Sequence, residues 1–417
     1  MDAIYTDDYI KGYWDRFYPV FERRSDERRQ DFQNPGENDC TVTVAEFLKH
    51  LDDRAICKVL SHRYKVAPGK ERYPRTAVFK AVVSWMIKGS RSLLAFHRWL
   101  LDNPFDALEM GFRFDEWTGR VLVPSYQTLW YFETVRFDVD ELGELLIAIV
   151  RENMRLGRER GIDIGERTGT DATPLKTCRE DSAGEYNGHY RKKMVKVVVT
   201  EDLDTWLPLA WKVIGGNDAE GEHLFEMLSE GRARTGPGVM KATWFDGGFT
   251  SNENLAKVAV LLRLEASYKI SDGWVEEVRY PRDGPGVRTP KEEVERLYEE
   301  HWQEAWYHAN APFEYKMRAL VEAGEYEAVA MHYRNAYLAR HKRDPKEVLD
   351  EYHQRSNCEG LNGHAKVHFE LEDRLHVVGL RAITRHVLWT LLAMHVVAMV
   401  RLQHGVTGNL LSTIHIL

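Results

Sequence analysis

The sequence predicts an α/β core that follows a helical region and is interrupted by an insertion. Residues 1–160 read as mostly helical, whereas residues 161–271 alternate strand-like and helical segments. Residues 272–345 begin with a turn-rich part and continue with charged helical segments, which indicates an insertion. Residues 346–417 close the chain with helices that complete the core. Because strands and helices alternate along the core, it belongs to the α/β class.

The helical region is predicted from the spacing of its apolar side chains. Such residues recur at helical spacing from Val44 to Leu51, and Ser125 is a candidate N-cap for a helix over residues 126–135. A helical module of this size can carry a helix-turn-helix. The same periodicity is equally compatible with core helices that touch no DNA, so both interpretations stay open at this point.

Five β-branched or apolar segments predict the sheet of the core. They lie at residues 166–170, 194–200, 206–214, 239–245 and 263–270. Helices are predicted over residues 219–230 and 252–262, on either side of the fourth strand. This order of three strands, a helix, a strand, a helix and a strand favours a five-stranded sheet with flanking helices.

The charge balance gives no general indication of a nucleic-acid partner. The formal net charge is −8, whereas phosphate binding requires Lys and Arg side chains. Basic clusters do occur locally, at residues 191–196 and 334–346. A charge run is more often a solvated face, so these clusters count only together with other evidence.

Cysteine usage and hydropathy favour a cytoplasmic protein that makes no membrane contact. The four cysteines form no CxxC pair, which is typical of a reducing compartment. The longest apolar stretch, residues 386–400, is shorter than the roughly 20 residues that a membrane span needs. We therefore expect it to form a buried helix near the C-terminus.

Two aspartates follow predicted strands of the core. Asp171 follows the first strand, and Asp246 follows the fourth and precedes Gly247-Gly248. The carboxyl ends of strands are where α/β sheets place ligands and reactive groups. An aspartate at a strand end is also a common turn or cap former, so neither residue identifies a site alone.

A third element combines four functional side chains at regular spacing. At about 100° per residue they share one face of a helix. The four are Tyr352, Arg355, Glu359 and Lys366. A solvated face with an ordinary Arg355–Glu359 ion pair explains part of this pattern, and Gly360 and Gly363 weaken the helix. The phenol and the two cations around one acid would also suit a metal-bound phosphodiester.

With these motifs in order, the sequence resembles the DDE transposases of prokaryotic insertion sequences. More narrowly, it resembles the subgroup with a tyrosine–arginine–glutamate–lysine (YREK) signature, whose spacings of two, three and six residues are matched from Tyr352 to Lys366. The family's first acid lies in a segment like GTDAT, which gives Asp171. Its second lies in a segment like WFDGGFTSNENL, which gives Asp246.

The resemblance implies a ribonuclease H-like core with a mixed five-stranded sheet. It implies that Asp171, Asp246 and Glu359 are the catalytic residues and the metal ligands. Three carboxylates in one pocket repel each other unless cations join them, and oxygen ligands select Mg²⁺, with Mn²⁺ as a substitute. Two ions would then activate the nucleophile and stabilise the leaving oxygen. Tyr352, Arg355 and Lys366 would bind DNA phosphates.

The partners implied are double-stranded DNA, both the terminal inverted repeats of the element and the target. The resemblance also implies a homodimer on paired ends and a DNA-end-binding role for residues 1–160. The reaction would be cleavage at the ends and attack of the 3′-hydroxyl on target DNA. Two alternatives stay open: a metal-dependent nuclease on the same core, and a DNA-binding relative without catalysis.

Overall fold

The computed structural model describes residues 43–63, 72–88, 92–177, 181, 183–188, 190–269, 289–302, 311–367, 369, 371 and 377–412. The chain divides into two units, one built from residues up to 162 together with those from 363, and the other from residues 163–362. The first forty residues of the predicted helical region, and the turn-rich start of the insertion at 272–288, lie outside the described residues.

The first unit begins with helices and one short hairpin. They are α1 (Val44–Lys49), α2 (Arg54–Arg63), α3 (Arg75–Lys88), α4 (Leu93–Asp102), α5 (Pro104–Glu109), β1 (Phe114–Asp115), β2 (Arg120–Val121), α6 (Tyr126–Thr134) and α7 (Val139–Glu159). The predicted N-cap of α6 is confirmed, since the Ser125 hydroxyl accepts a hydrogen bond from the Thr128 N–H at 3.3 Å. Asp138 and Glu141 form a capping box that starts α7, whose apolar face is buried.

The second unit is built on a mixed sheet, as the sequence predicts. Its strands among the described residues are β3 (Arg167–Lys176), β4 (Glu185–Asn187), β5 (Lys192–Asp202), β6 (Pro208–Gly215), β7 (Ala242–Phe245) and β8 (Glu265–Tyr268). β5 pairs antiparallel with β3 and β6, whereas β7 pairs parallel with β3 and β8. β4 and β6 share one edge of β5 at different positions. β4 was not predicted, because its three residues give no strand period.

Helices cover this sheet and continue into the insertion. They are α8 (Leu224–Thr235), α9 (Asn252–Val260), α10 (Pro290–His301), α11 (Phe313–Ala323), α12 (Tyr326–Arg343) and α13 (Pro345–His353). The insertion helices share one apolar core with the sheet. Tyr337 of α12 stacks on Tyr268 of β8 with ring centroids 4.6 Å apart. The insertion, predicted to be partly helical, is therefore packed on the edge strand of the sheet.

Two further helices end the chain, α14 (Cys358–Val367) and α15 (Leu380–Gln403). α14 crosses the division between the units, since residues 358–362 fall in the second unit and 363–367 in the first. α15 is long and apolar enough to pass a length and composition test for a membrane span, but 89% of the tested window is buried. It packs as the central helix of its unit, where the Asn153 amide donates to the His395 carbonyl at 2.9 Å.

Candidate active site

Asp171 lies on β3 at the point where the sheet loses a strand. Residues 168–170 pair with β7 on one side and with β5 on the other, whereas from Asp171 onward only β5 continues the ladder. The expectation that the strand ends at Asp171 is wrong, because β3 continues to Lys176. The reason is that β5 is long and β-branched, and so it offers a pairing partner along this whole length.

Asp246 lies beside Asp171, directly after the neighbouring parallel strand β7. Thr170 and Phe245 are paired, so the two aspartates each follow a paired residue of adjacent strands. Neighbouring strands are about 4.8 Å apart, and side chains in register point to the same face. Asp246 also begins a 3₁₀ turn, Gly247–Phe249, and its Oδ1 accepts the Gly247 N–H at 2.6 Å. The parallel register thus brings together two acids that are 75 positions apart in the sequence.

Two glycines allow the helix that carries Glu359 to pack closely in this unit. A Cβ atom at Gly169 of β3 would lie 2.2 Å from the Cys358 Sγ, and one at Gly360 would lie 2.7 Å from the Trp206 ring. Such distances exclude any larger residue unless the backbone moves. Gly169 is two residues before Asp171 and therefore on the same face of β3. The first turn of α14 accordingly packs on the face that carries the first acid.

The four signature residues do not share one continuous α-helix. Tyr352 lies in the last turn of α13, Arg355 in a 3₁₀ turn over Gln354–Asn357, and Glu359 in the first turn of α14. The prediction that the four side chains share one helix face assumed 100° per residue. It is wrong, because the 3₁₀ turn before Glu359 advances by about 120° per residue. The chain remains helical at Gly360 and Gly363, where the sequence predicts a weak helix. At Gly360 the Trp206 ring occupies the space in which a side chain would lie.

Arg355 connects the acids of the site. Its Nη1 lies 3.9 Å from Asp171 Oδ1, and its Nη2 lies 4.0 Å from Glu359 Oε1. The negative charge of Asp246 acts on the same guanidinium, and the Tyr352 ring centroid lies 6.0 Å from its Cζ. In this arrangement the group predicted to bind phosphate is the counter-ion of the carboxylates. The Arg355 guanidinium thus lies near all three predicted acids and near the Tyr352 ring.

The electrostatics of Asp171 reflect this crowding. Burial raises the pKa of Asp171 above its ordinary value, and the charges of Asp246 and Glu220 act in the same direction. The Ala172 N–H and the Arg355 guanidinium oppose the rise. Burial is the largest cause of the upward shift, and the two neighbouring carboxylates add smaller contributions of the same sign. A cation placed next to Asp171 would favour its ionised form.

Two residues near Asp171 were missed by sequence reasoning. The Asn362 amide donates to Asp171 Oδ2 at 3.0 Å, and the Glu220 carboxylate lies close enough to raise the pKa of Asp171. Glu220 is held by the buried Lys196, whose Nζ lies 2.9 Å from its Oε1. The position of Asn362 could have been predicted from the sequence, because it follows Glu359 by three residues and so shares its helix face. Glu220 had none, since only the fold brings it near.

A buried acid lies beneath the site. Glu201 of β5 is 2% exposed and hydrogen-bonds with the Cys358 thiol. Burial raises the pKa of Glu201 well above its usual range, which favours the neutral carboxyl group. Burial likewise raises the pKa of Cys358, which favours the thiol over the thiolate. The contact between these two side chains links the start of α14 to β5.

Lys366 lies in the last turn of α14, on the other side of the division between the units. Its predicted contact with DNA phosphate therefore stays a prediction. Glu359 itself is largely solvent-exposed, with 71% of its side-chain surface accessible. Asp171 and Asp246 are partly buried, whereas Glu359 is exposed. Solvent therefore reaches the site from the side of Glu359.

The donor atoms of the site suit a hard cation. Asp171, Asp246 and Glu359 offer carboxylate oxygens, which Mg²⁺ and Mn²⁺ prefer over nitrogen or sulfur ligands. No group of three or more His, Cys, Asp or Glu side chains within the described ranges is arranged tightly enough to hold a metal ion. The carboxylate oxygens are therefore of the kind that binds a divalent ion. In this structure, however, Asp171 and Glu359 are arranged around the Arg355 guanidinium.

Comparison with known proteins decides the family. A family model for the transposase DDE domain matches residues 168–395, which is more than half of the chain. The chain belongs to the DDE transposase family. The matched span begins on β3 and includes Asp171, Asp246 and Glu359. No curated protein and no solved structure matches this chain.

Membership confirms the broad expectations from the sequence. The DDE domain contains the mixed sheet and flanking helices that a ribonuclease H-like core requires. Transposases of this family act on DNA and generally use a divalent metal ion. Membership also suggests transposase activity for this chain.

Proposed function

We propose that this chain is the transposase of a prokaryotic insertion sequence, of the subgroup with the YREK signature. It cuts the ends of the element and joins the 3′-hydroxyl to target DNA. The observation that carries the proposal is the convergence of Asp171, Asp246 and Glu359 around Arg355. Two strands and a helix from distant parts of the sequence contribute to this one site.

Asp171, Asp246 and Glu359 would hold two divalent ions, Mg²⁺ or Mn²⁺. When bound, such ions lower the pKa of an attacking water or hydroxyl and neutralise the leaving oxygen. Burial is the main cause of the raised pKa of Asp171, but Asp246 and Glu220 also contribute to it. That electrostatic contribution supports the assignment, because a bound cation would offset the repulsion among the acids. Glu220 is a further carboxylate close to the site and adds to the same negative field.

Arg355, Tyr352 and Lys366 would bind the DNA backbone. A guanidinium forms strong paired hydrogen bonds with phosphate, and Arg355 is partly exposed beside the acids. The Tyr352 hydroxyl would add a hydrogen bond, and Lys366 a point charge. Binding of metal and DNA requires Arg355 to exchange its carboxylate contacts for phosphate.

The remaining parts of the chain have supporting roles in this proposal. Residues 1–160 form the DNA-end-binding domain, residues 161–271 and 346–417 the catalytic core, and residues 272–345 an insertion between its two parts. The protein acts as a homodimer on paired ends in the cytoplasm, associated with the nucleoid.

The proposal is tested by Glu359→Gln, with cleavage of DNA that carries the element ends measured in Mg²⁺. The substitution keeps the shape of the side chain but removes a ligand charge, so cleavage should fall at least about a hundredfold while end binding persists. Glu299→Gln changes an exposed acid of α10 and serves as the matched control. Normal cleavage by Glu359→Gln would show that the site is assigned wrongly.

A second assay separates transposition from hydrolysis alone. Pre-cut element ends are supplied with a target plasmid, and joined products are counted. Joining that requires Asp171 and Asp246 supports the transposase, whereas cutting without joining supports a nuclease on the same core. Binding with neither activity would indicate a non-catalytic relative.

A further inference from the structure

The hairpin formed by β4 and the start of β5 extends beyond the acid-bearing edge of the sheet. β7 ends at Phe245, whereas β3 and β5 remain paired past this point as far as Lys176 and Met194. β4 then pairs with residues 192–194 of β5. The ribbon therefore protrudes from the same end of the sheet at which Asp171 and Asp246 lie.

The hairpin presents aromatic rings to solvent. Tyr186 is 60% exposed and Tyr190 is 44% exposed, although large aromatic side chains usually contribute to a core. Tyr186 is paired directly with Lys193 across the two strands, so a ring and an ammonium group lie side by side on one face. Aromatic rings next to cations are a combination that suits nucleic acid.

The turn of the hairpin is held in place by Asn187. Its Oδ1 accepts the Tyr190 N–H at 3.2 Å, and its Nδ2 donates to the Gly216 carbonyl at 2.8 Å. Arg191 adopts a left-handed conformation with φ of 53°, which completes the reversal of the chain. These two hydrogen bonds join the backbone at Tyr190 and Gly216 to the Asn187 side chain, which limits the freedom that the neighbouring side chains lose on binding.

Arg191 adds an exposed positive charge at the end of the hairpin. Its side chain forms no ion pair or hydrogen bond with any described residue. Lys193 is half-buried, and its Nζ donates to the Asp181 carbonyl oxygen at 3.4 Å. In a chain with a net charge of −8, the hairpin therefore places two cations close together at one point of the surface.

The register places Tyr186 and Lys193 on the face that carries Asp171. Asp171 is paired with Val199, and Lys193 precedes Val199 by six residues, an even number. Because side chains alternate along a strand, Lys193 and its partner Tyr186 point to the same face as Asp171. At about 3.3 Å per residue the hairpin lies roughly 20 Å from Asp171, the length of about six base pairs.

We propose that the hairpin surface, defined by Tyr186, Tyr190, Arg191 and Lys193, contacts the phosphate backbone of the DNA duplex that is bound at the acid site. This inference rests on the proposed function, because it assigns DNA as the partner. The hairpin would hold the duplex beside the reacting phosphate, while the acids act on that phosphate. Its contribution is to binding and is independent of base sequence.

The test compares two double variants of the full-length protein. The hairpin variant is Arg191→Gln and Lys193→Gln. The control variant is Lys241→Gln and Arg318→Gln, which removes the same charge from exposed residues that are paired with carboxylates. The affinity for a labelled duplex of mixed sequence is measured over a range of salt concentrations. Circular dichroism confirms that both variants are folded.

Each phosphate contact contributes about 0.9 to the slope of log affinity against log salt concentration. The slope of the hairpin variant should therefore fall by about one to two, whereas that of the control variant should remain near the wild-type value. Equal slopes for the two variants would overturn the proposal, and so would failure of the wild type to bind the duplex.

A cleavage assay distinguishes this proposal from the proposed function. The hairpin variant should raise the DNA concentration needed for half-maximal cleavage and keep the rate at saturation, because the acids are unchanged. A slope that depends on the hairpin supports the proposal even where the wild type does not cleave, an outcome that would overturn only the proposed function. Normal cleavage with equal slopes would overturn only the hairpin assignment.

Discussion

At the residue scale, the site depends on small side chains as much as on its acids. Gly169 has no side chain that could react or bind a ligand, yet the Cys358 Sγ occupies the space in which a Cβ atom at this position would lie. This contact sets how closely α14 approaches β3 and therefore where Glu359 stands relative to Asp171. Sequence reasoning assigned Asp171 from its neighbours GTDAT but gave Gly169 no role, because the atom that excludes a Cβ is contributed by residue 358.

Gly169→Ala should reduce cleavage by about a hundredfold, because a displacement of about 1 Å at a catalytic group has an effect of this size. Cleavage rate and the free energy of unfolding are measured together. Adding Cys358→Ala removes the Sγ and should restore part of the activity, although Leu203 Cδ2 also lies 2.7 Å from where the alanine Cβ would stand. No loss of activity in Gly169→Ala would show that the close packing is not required.

Asn362→Asp should shift the acidic limb of the pH–rate profile to higher pH. The substitution replaces a hydrogen-bond donor to Asp171 by a second negative charge, which raises the pKa of Asp171 further. Asp171 would then ionise, and become able to bind metal, only at higher pH. Asn335→Asp adds the same charge at an exposed position on α12 and should leave the profile unchanged. A downward shift would contradict the assigned contact.

At the element scale, strand order was predictable and strand length was not. The β-branched composition located five strands, but the bounds of β3 depended on the partner that β5 provides. The signature from Tyr352 to Lys366 was read as one helix, whereas a 3₁₀ turn over Gln354–Asn357 interrupts it. The sequence does not show that break, because no Gly or Pro marks it.

Helix α6 contains a buried acid that should make stability depend on pH. Burial raises the pKa of Glu133 from 4.5 to about 7. Its folded form therefore retains a proton that the unfolded chain releases, so stability falls as pH rises from about 4.5 to about 7. Glu133→Gln should remove this dependence and raise the melting temperature at pH 8 relative to wild type. An unchanged pH dependence of melting would contradict the burial of this carboxyl.

At the scale of the whole molecule, the chain assembles one candidate catalytic site from residues 171 to 362, all of them within the second unit. The insertion packs on the sheet through Tyr268 and Tyr337, so it belongs to the core of that unit. The apolar helix α15 of the first unit was correctly expected to be buried. The site as a whole concentrates negative charge.

Mg²⁺ should therefore raise the melting temperature of the wild-type protein. A ligand at a hundred times its dissociation constant stabilises the folded state by about 2.7 kcal/mol. Asp171→Asn should lose most of this stabilisation, and Asp204→Asn, which changes an exposed acid elsewhere in the same unit, should keep it. An equal response in the two variants would argue against metal binding at the acids.

The sequence by itself determined the class of the fold and the order of its main strands, and it predicted which acids form the site, because periodicity and local motifs are properties of neighbouring residues. Only the tertiary structure decided that Asp171 and Asp246 stand side by side, that Arg355 lies among the acids, and that Asn362, Glu220 and Glu201 surround them. These contacts join residues far apart in the chain. Strand register and the packing of α14 against Gly169 create these contacts. Neither can be predicted from a short segment of the sequence, because each depends on residues that are distant in the chain.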